Sequence, residues 1–176
     1  MEEKSYKEYL EHITTFIFDV DGVLTSGAVM ITTTGELLRT MTTKDGFALK
    51  TATQAGFNVC VISGGTNEGI RKRLEGLGIK DIFLGAHNKI EQFNSYLDAN
   101  KIKAKNVLYM GDDIPDIPVM KLVGLPSSPQ DAVPEVKALS KYVSHKKGGE
   151  GCARDVIEQV LKVQGKWNGN FDAKYD

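Results

Sequence analysis

Residues 14–25 read TTFIFDVDGVLT, from Thr14 to Thr25. Phe16, Ile17 and Phe18 form an apolar run that ends in two carboxylates one residue apart, Asp19 and Asp21, and Gly22 then turns the chain. Side chains in a strand alternate with period two, so Asp19 and Asp21 leave it on the same side. Two carboxylates at the C-terminal mouth of an apolar strand, with no cation adjacent in sequence, repel each other unless something holds them. A divalent cation would do so, since hard ions take oxygen ligands. The competing reading is a solvated turn, because Asp and Gly also favour turns for purely local reasons.

Outward from this stretch, apolar strand-like segments alternate with helical ones. Ala28 to Met41 reads as two short strands around Thr34-Gly35. Thr43 to Ala55 reads as a helix and Phe57 to Ser63 as a buried, β-branched strand. A Gly64-Gly65 turn then leads into a helix from about Thr66 to Leu77. Strands follow at Asp81 to Gly85 and Asn106 to Gly111, with a helix from Asn88 to Ala99 between them. A short helix at Ile117 to Lys121 tolerates Pro118 in its first turn. Val123 to Ser127 and Tyr142-Val143 read as brief strands, and Ala132 to Leu139 as a helix. After Gly148 to Gly151, the residues Cys152, Ala153, Val156, Ile157, Val160 and Leu161 recur on one face of an amphipathic helix. The alternation predicts βαβ units: an α/β, Rossmann-like three-layer sandwich with a mainly parallel sheet, one small hairpin and a single domain over residues 1–176. Right-handed crossovers place the strands' C-terminal ends on one edge, where such folds bind ligands. Asp19, Asp21, Ser63 and Asp112 are all at or just past those ends and are expected to converge.

That convergence has a chemistry. Carboxylates form aspartyl-phosphate intermediates, so Asp19 is a candidate nucleophile. Asp21 could protonate a leaving alkoxide and then deprotonate the attacking water. Ser63, with Gly64 and a helix start after it, supplies a hydroxyl and N–H groups for phosphate oxygens. Lys89 could neutralise charge on Asp19 and on a phosphoryl group. Asp112 and Asp113, with Asp116 one turn on, offer further oxygen ligands for Mg²⁺. Phosphoryl transfer relies mainly on positioning and charge stabilisation, and this inventory provides both. Taken singly, Ser63-Gly64-Gly65 is an ordinary turn, Lys89 a surface lysine and Gly111-Asp112-Asp113 another turn; the order and the shared strand-end position carry the reading.

Composition closes off other classes. The net charge of −1 gives no electrostatic reason to expect nucleic acid or an anionic membrane. No apolar run approaches the roughly 20 residues that span a bilayer. The charged start, MEEKSYKEYL, does not read as a signal peptide. Cys60 and Cys152 are far apart and read as buried free thiols, which suits a reducing cytoplasm. His12, His87 and His145 lack metal-ligand spacing, and Gly64 to Gly69 does not fit the dinucleotide fingerprint.

FDVDGVLT, SGG, the lone Lys89 and GDDIPD together resemble the four motifs of the haloacid dehalogenase superfamily of Mg²⁺ phosphohydrolases. With DVDGVLTSG, KDGFALK, LGAHNK, MGDDIPDIPVM and GGEGCARDV, the chain from about Ile13 to Gly165 is similar to the 3-deoxy-D-manno-octulosonate 8-phosphate phosphatases, capless members of that superfamily. The resemblance implies Asp19 as nucleophile, Asp21 as acid/base and as a metal ligand through its backbone carbonyl, and Asp112 as the distal metal ligand. It assigns Ser63 and Lys89 to phosphate and Asp45-Gly46 to the sugar-acid pocket; Asp113 and Asp116 match the acidic motif. It implies Mg²⁺, a small sugar-acid phosphate as substrate, and a homotetramer built on the hairpin in which neighbouring subunits complete each site. The tail from Gly165, with Trp167, Phe171 and Tyr175, is then either a flexible or draped end or an arm that docks on a neighbour. Two departures stand out. Ser26 occupies a position where the family often has Asp, and Gly65 one where octulosonate members often have Arg, which leaves the nine-carbon sugar-acid phosphate as a competing substrate. A signalling receiver also uses a parallel sheet, Mg²⁺ and a phosphorylated Asp, but there the acidic pair lies near the N-terminus, ahead of the phospho-acceptor strand, whereas Asp112-Asp113 comes late. A non-catalytic subunit descended from such an enzyme is the third possibility, against which the full motif set argues.

Overall fold

The structure is a computed structural model and describes residues 5–167. In chain order it runs α1 (Lys7–Leu10), β1 (Thr15–Phe18), β2 (Met30–Ile31), β3 (Leu37–Leu38), α2 (Thr43–Gln54), β4 (Asn58–Ile62), α3 (Glu68–Gly76) and β5 (Asp81–Phe83). It continues with α4 (Lys89–Asn100), β6 (Val107–Met110), α5 (Ile117–Met120), β7 (Leu125–Ser128), α6 (Pro134–Leu139), β8 (Tyr142–Val143) and α7 (Cys152–Val163). Six strands pair in parallel in the order β5-β4-β1-β6-β7-β8, and β2 and β3 form a separate antiparallel pair. The α/β sandwich and hairpin expected from the sequence are therefore present.

Alternation along the central strands builds the two faces. Phe16 and Phe18 of β1, Val59 and Val61 of β4, and Leu108 and Met110 of β6 join one core with α2, α3 and α7. Ile17, Cys60, Ile62, Val107 and Tyr109 point the other way, onto α4, α5 and α6. With both faces covered, the strands read as continuous apolar runs. β1 lies in the middle, between β4 and β6, and so carries the end of its own sequence to the centre of the sheet edge.

Some boundaries differ from the expected ones. The helix expected from Thr66 begins at Glu68, because Asn67 caps it by accepting from the Ile70 N–H at 3.1 Å. The hairpin expected over Ala28 to Met41 reduces to two strands of two residues. The short helix α1 had no periodic apolar signal to announce it; Leu10 is buried in the core and Tyr9 packs partly buried against it. Trp167 packs edge-on against Phe47 of α2 (centroids 6.2 Å apart), so the tail starts against its own chain. Phe171 and Tyr175 lie outside the described residues. Both cysteines are buried and free. Among the described residues no helix is long and apolar enough to cross a membrane.

Candidate active site

The sheet edge at the end of β1 opens into a cavity of about 460 Å³ whose lining includes Asp19, Asp21, Ser63, Gly64, Lys89, Asp112, Asp113 and Asp116. Most of the sequence-expected site thus converges. Strand geometry, however, ends at Phe18. The chain enters a π-type turn over Val20–Leu24, with Gly22 at φ +84°, a conformation that favours glycine. A side chain at Gly22 would also run into the Asp112 carboxylate. Asp19 and Asp21 therefore face one cavity because a tight turn follows the strand. The turn is held from behind by Gly149, whose N–H donates to Val23 O (2.8 Å), while a side chain at Gly148 would strike the Gly22 carbonyl.

Each carboxylate of the pair has its own protein cation. Asp19 is 6% exposed; its Oδ2 lies 2.7 Å from Lys89 Nζ, and its Oδ1 accepts from the Val20 N–H at 2.6 Å. Burial, then the Asp116 charge, push its pKa up to about 6 against the pull of Lys89. Asp21, more open, is held by Arg39, with Nε to Oδ1 at 2.6 Å and Nη2 to Oδ2 at 3.0 Å. The repulsion inferred from sequence is thus offset within the chain by two cations distant in sequence.

Lys89 is the hub of the floor. It starts α4, is 6% exposed, and binds Asp19 and Asp116, each at 2.7 Å. Burial alone would lower its pKa; the two carboxylates outweigh that and raise it, so it stays charged. Asp116 was expected among the oxygen ligands, but its oxygens are otherwise committed. Oδ1 accepts from Lys89 Nζ and Tyr109 Oη (2.7 and 2.6 Å), and Oδ2 from the N–H groups of Asp112 and Asp113 (3.0 and 3.3 Å). Four accepted bonds use about all the lone-pair sites a carboxylate has. Asp116 is therefore an anchor that fixes Lys89 and the Asp112-Asp113 turn. Asp113 is exposed and accepts from the Ile114 N–H at 2.7 Å, capping the next turn. Ser63 is buried; its Oγ accepts from the Gly65 N–H at 3.2 Å, and its own N–H donates to Phe83 O.

Oxygen atoms of Asp19, Asp112 and Asp116 lie within 4.8 Å of one another. Asp112 is pushed up to about 7 by burial and then by the charges of Asp19 and Asp116. Two acidic groups raised by burial and by a shared third charge, all offering oxygen, fit a hard divalent cation. With Asp116 saturated, Asp19 and Asp112 are the side chains free to hold it.

Asp45 and Gly46 stand apart from the other expected site residues. Neither lines the cavity. Asp45 is 1% exposed in the first turn of α2 and accepts from the Arg154 N–H at 2.8 Å, at the start of α7. Burial pushes its pKa up to about 6 while those backbone N–H groups hold it lower. A Cβ on Gly46 would meet Arg73 Nη2 at 2.8 Å. The sequence reading also missed two polar contributors: Arg39, and His87 in the cavity wall. Arg39 did carry a signal, being the sole basic residue between Asp21 and Lys44, where the hairpin returns to the sheet.

Residues 78–155 match the haloacid dehalogenase-like hydrolase family. The chain is 36% identical over 156 residues to the 3-deoxy-D-manno-octulosonate 8-phosphate phosphatase KdsC of Salmonella typhi, covering 89% of this chain and 83% of that one. The chain belongs to the haloacid dehalogenase-like hydrolases. Within them it is KdsC-like, and it is a phosphatase of phosphate monoesters. The structure of this hydrolase is similar to that of 3-deoxy-D-manno-octulosonate 8-phosphate phosphatase from Yersinia pestis, with a TM-score of 0.91 and 30% identity over 93% of this chain and 89% of that one. It is also similar to the enzyme of that name from Moraxella catarrhalis, solved with magnesium, phosphate and KDO, with a TM-score of 0.90 and 28% identity over 97% and 98% of the two chains.

Proposed function

We propose that this hydrolase removes phosphate from 3-deoxy-D-manno-octulosonate 8-phosphate with Mg²⁺, through an aspartyl-phosphate on Asp19. What supports the reading is a buried carboxylate (Asp19), a more open one (Asp21) and a buried ammonium (Lys89) on one cavity, within a chain 36% identical to the Salmonella typhi phosphatase along most of both lengths. Asp19 and Asp112, with the Asp21 carbonyl, would hold Mg²⁺, and the ion would supply positive charge for the phosphoryl oxygens.

The protein's own groups do the rest. Lys89 keeps Asp19 ionised and oriented for attack on phosphorus. Ser63 Oγ, the Gly64 backbone and the Lys89 ammonium receive phosphoryl oxygens as charge builds on them. Asp21 gives its proton to the departing sugar oxygen, then takes one from the water that opens the aspartyl ester. Asp116 and Tyr109 move no proton; they hold Lys89 in place.

The hairpin supports an assembly. Met30 and Ile31 are 69% and 71% exposed, and Leu37 and Leu38 stand beside them in the open. Apolar side chains clustered on a two-stranded sheet mark an interaction surface. We infer that other copies of the chain cover it, in a tetramer whose subunits shield one another's open sites.

The test is a panel of phosphomonoesters with Mg²⁺: the eight-carbon and nine-carbon 2-keto-3-deoxy sugar-acid phosphates, a neutral sugar phosphate and p-nitrophenyl phosphate. The eight-carbon acid is expected to have the highest kcat/KM. Comparable values across the panel would reject the substrate assignment and leave the phosphatase chemistry standing.

A further inference from the structure

Of the two cations that hold the catalytic carboxylates, Lys89 is spent on Asp19 and Asp116 in the floor. Arg39 is differently placed. It lies one residue past β3, at the root of the hairpin, and reaches Asp21 with two of its nitrogens. A guanidinium has five N–H donors. Here Nε and one N–H of Nη2 go to Asp21, and one N–H of Nη1 goes to Leu37 O at 3.4 Å. One N–H on each terminal nitrogen is left to donate to a second acceptor, and a guanidinium suits a carboxylate.

Arg39 lines a cavity of about 370 Å³ beside the catalytic one, with Asn67 and Arg73. Opposite the guanidinium is Gly65, where a Cβ would lie 3.4 Å from Asp21 Oδ2 and 3.8 Å from Arg39 Nη2. With no side chain at residue 65, nothing from that position stands between Arg39 and the cavity. The order of the groups fixes a direction. Phosphorus has to meet Asp19, and the ester oxygen has to meet Asp21, so the leaving group extends past Asp21 towards Arg39.

We propose that Arg39 is a specificity residue that binds the carboxylate of the leaving sugar acid while still holding Asp21. The carboxylated leaving group is thereby registered against the proton donor. The inference rests on the reading of the substrate as a sugar-acid phosphate, and it adds the residue that selects the acid.

The experiment compares wild type, Arg39→Ala and Arg39→Lys on 3-deoxy-D-manno-octulosonate 8-phosphate and on p-nitrophenyl phosphate, both with Mg²⁺. Arg39→Ala is expected to lower kcat/KM on both, since Asp21 loses its partner. The loss on the sugar acid is expected to be greater by about tenfold or more, as for a missing charged hydrogen bond, and to appear mainly in KM. Arg39→Lys, which keeps the charge without the guanidinium, is expected to recover part of that selectivity and covers the case in which the alanine variant fails to fold. Equal losses on the two substrates in both variants would reduce Arg39 to a support for Asp21 and overturn the inference while wild-type selectivity stands. A wild type that does not favour the sugar acid would overturn this inference and the substrate assignment together.

Discussion

The floor of the cavity and the hairpin beside it are held by different means. On the floor, Asp19, Ser63, Lys89 and Asp116 are each no more than 6% exposed, and they follow four parallel strands, β1, β4, β5 and β6, that end on one edge. Every ionised group there has a partner of opposite charge or several N–H and O–H donors. Groups so placed need little rearrangement when charge develops on phosphorus, which is the useful property in phosphoryl transfer. The hairpin has two residues per strand, apolar side chains in the open, and two tethers to the body near the site: Arg39 to Asp21, and Asn67 Nδ2 to Leu37 O at 2.9 Å. An isolated two-stranded hairpin is marginal in water. The floor is therefore built and held within the core of one chain, while the hairpin beside it has little support of its own. Substrate choice can then change at the hairpin without disturbing the floor.

The strongest way to break that contrast is at its centre. Asp19→Asn keeps the shape and an oxygen for the Val20 N–H but removes the nucleophile. Lys89 keeps Asp116 as its partner, so the fold is expected to persist. Turnover of any phosphomonoester should fall by about 10⁴-fold or more, as it does when a covalent nucleophile is lost. Circular dichroism and Tm would report the retained fold. Appreciable phosphatase activity in a folded variant would remove Asp19 from the mechanism and with it the idea of a prebuilt floor.

The same contrast explains what was legible in the sequence. The central strands were readable because they are buried on both faces and so run as unbroken apolar residues, as in Phe16 to Phe18 or Val107 to Met110. Convergence of Asp19, Asp21, Ser63 and Asp112 followed from topology, since parallel strands end on one edge. What stayed hidden depends on side-chain contacts between elements far apart in sequence. Nothing local says that Asp116 saturates its lone pairs on Lys89, Tyr109 and two N–H groups, or that Asp45 looks away from the cavity onto α7. Arg39 and Asp21 are 18 residues apart across a hairpin whose return angle no periodicity encodes. Even the shared direction of Asp19 and Asp21 arises from the positive φ of Gly22 and the glycine loop packed behind it.

A smaller effect concerns the charge stored on the floor. Asp19 and Asp112 titrate near 6 and 7 in the folded protein without metal, and Asp45 near 6, all above the ordinary 3.8. The folded chain therefore holds protons that the unfolded chain has lost between about pH 4 and pH 7. Stability is greatest on the acid side of that window and falls as pH rises through it. A divalent cation binds the deprotonated carboxylates, so its stabilisation should grow over the same range. In EDTA, Tm is expected to fall by a few degrees between pH 5 and pH 7.5, and Mg²⁺ should restore it most at the upper end. Asp112→Asn should flatten both responses. A Tm that climbs across this window in EDTA, or is indifferent to Mg²⁺ at pH 7.5, would mean that the floor is not poised for a cation.

The last test bears on the hairpin, with the least effect on the single chain. Met30 and Leu38 face each other across the two strands. Met30→Lys with Leu38→Glu replaces an apolar pair by opposite charges, an exchange that leaves a cross-strand pair favourable. Both positions are exposed in the single chain, so its folding free energy should move by no more than about 0.5 kcal/mol. Association should respond differently, because burying a charged pair in an apolar interface costs more desolvation than the pair's attraction returns. Light scattering is expected to give about four chains for the wild type and a smaller assembly for the double variant, with unchanged circular dichroism. A wild type that is monomeric would leave the hairpin an ordinary exposed loop and its apolar residues without a role. A variant that still forms the full assembly would place the interface elsewhere, and Arg39 would then owe its position to the chain's own contacts with Asp21 and Leu37 and to no neighbour.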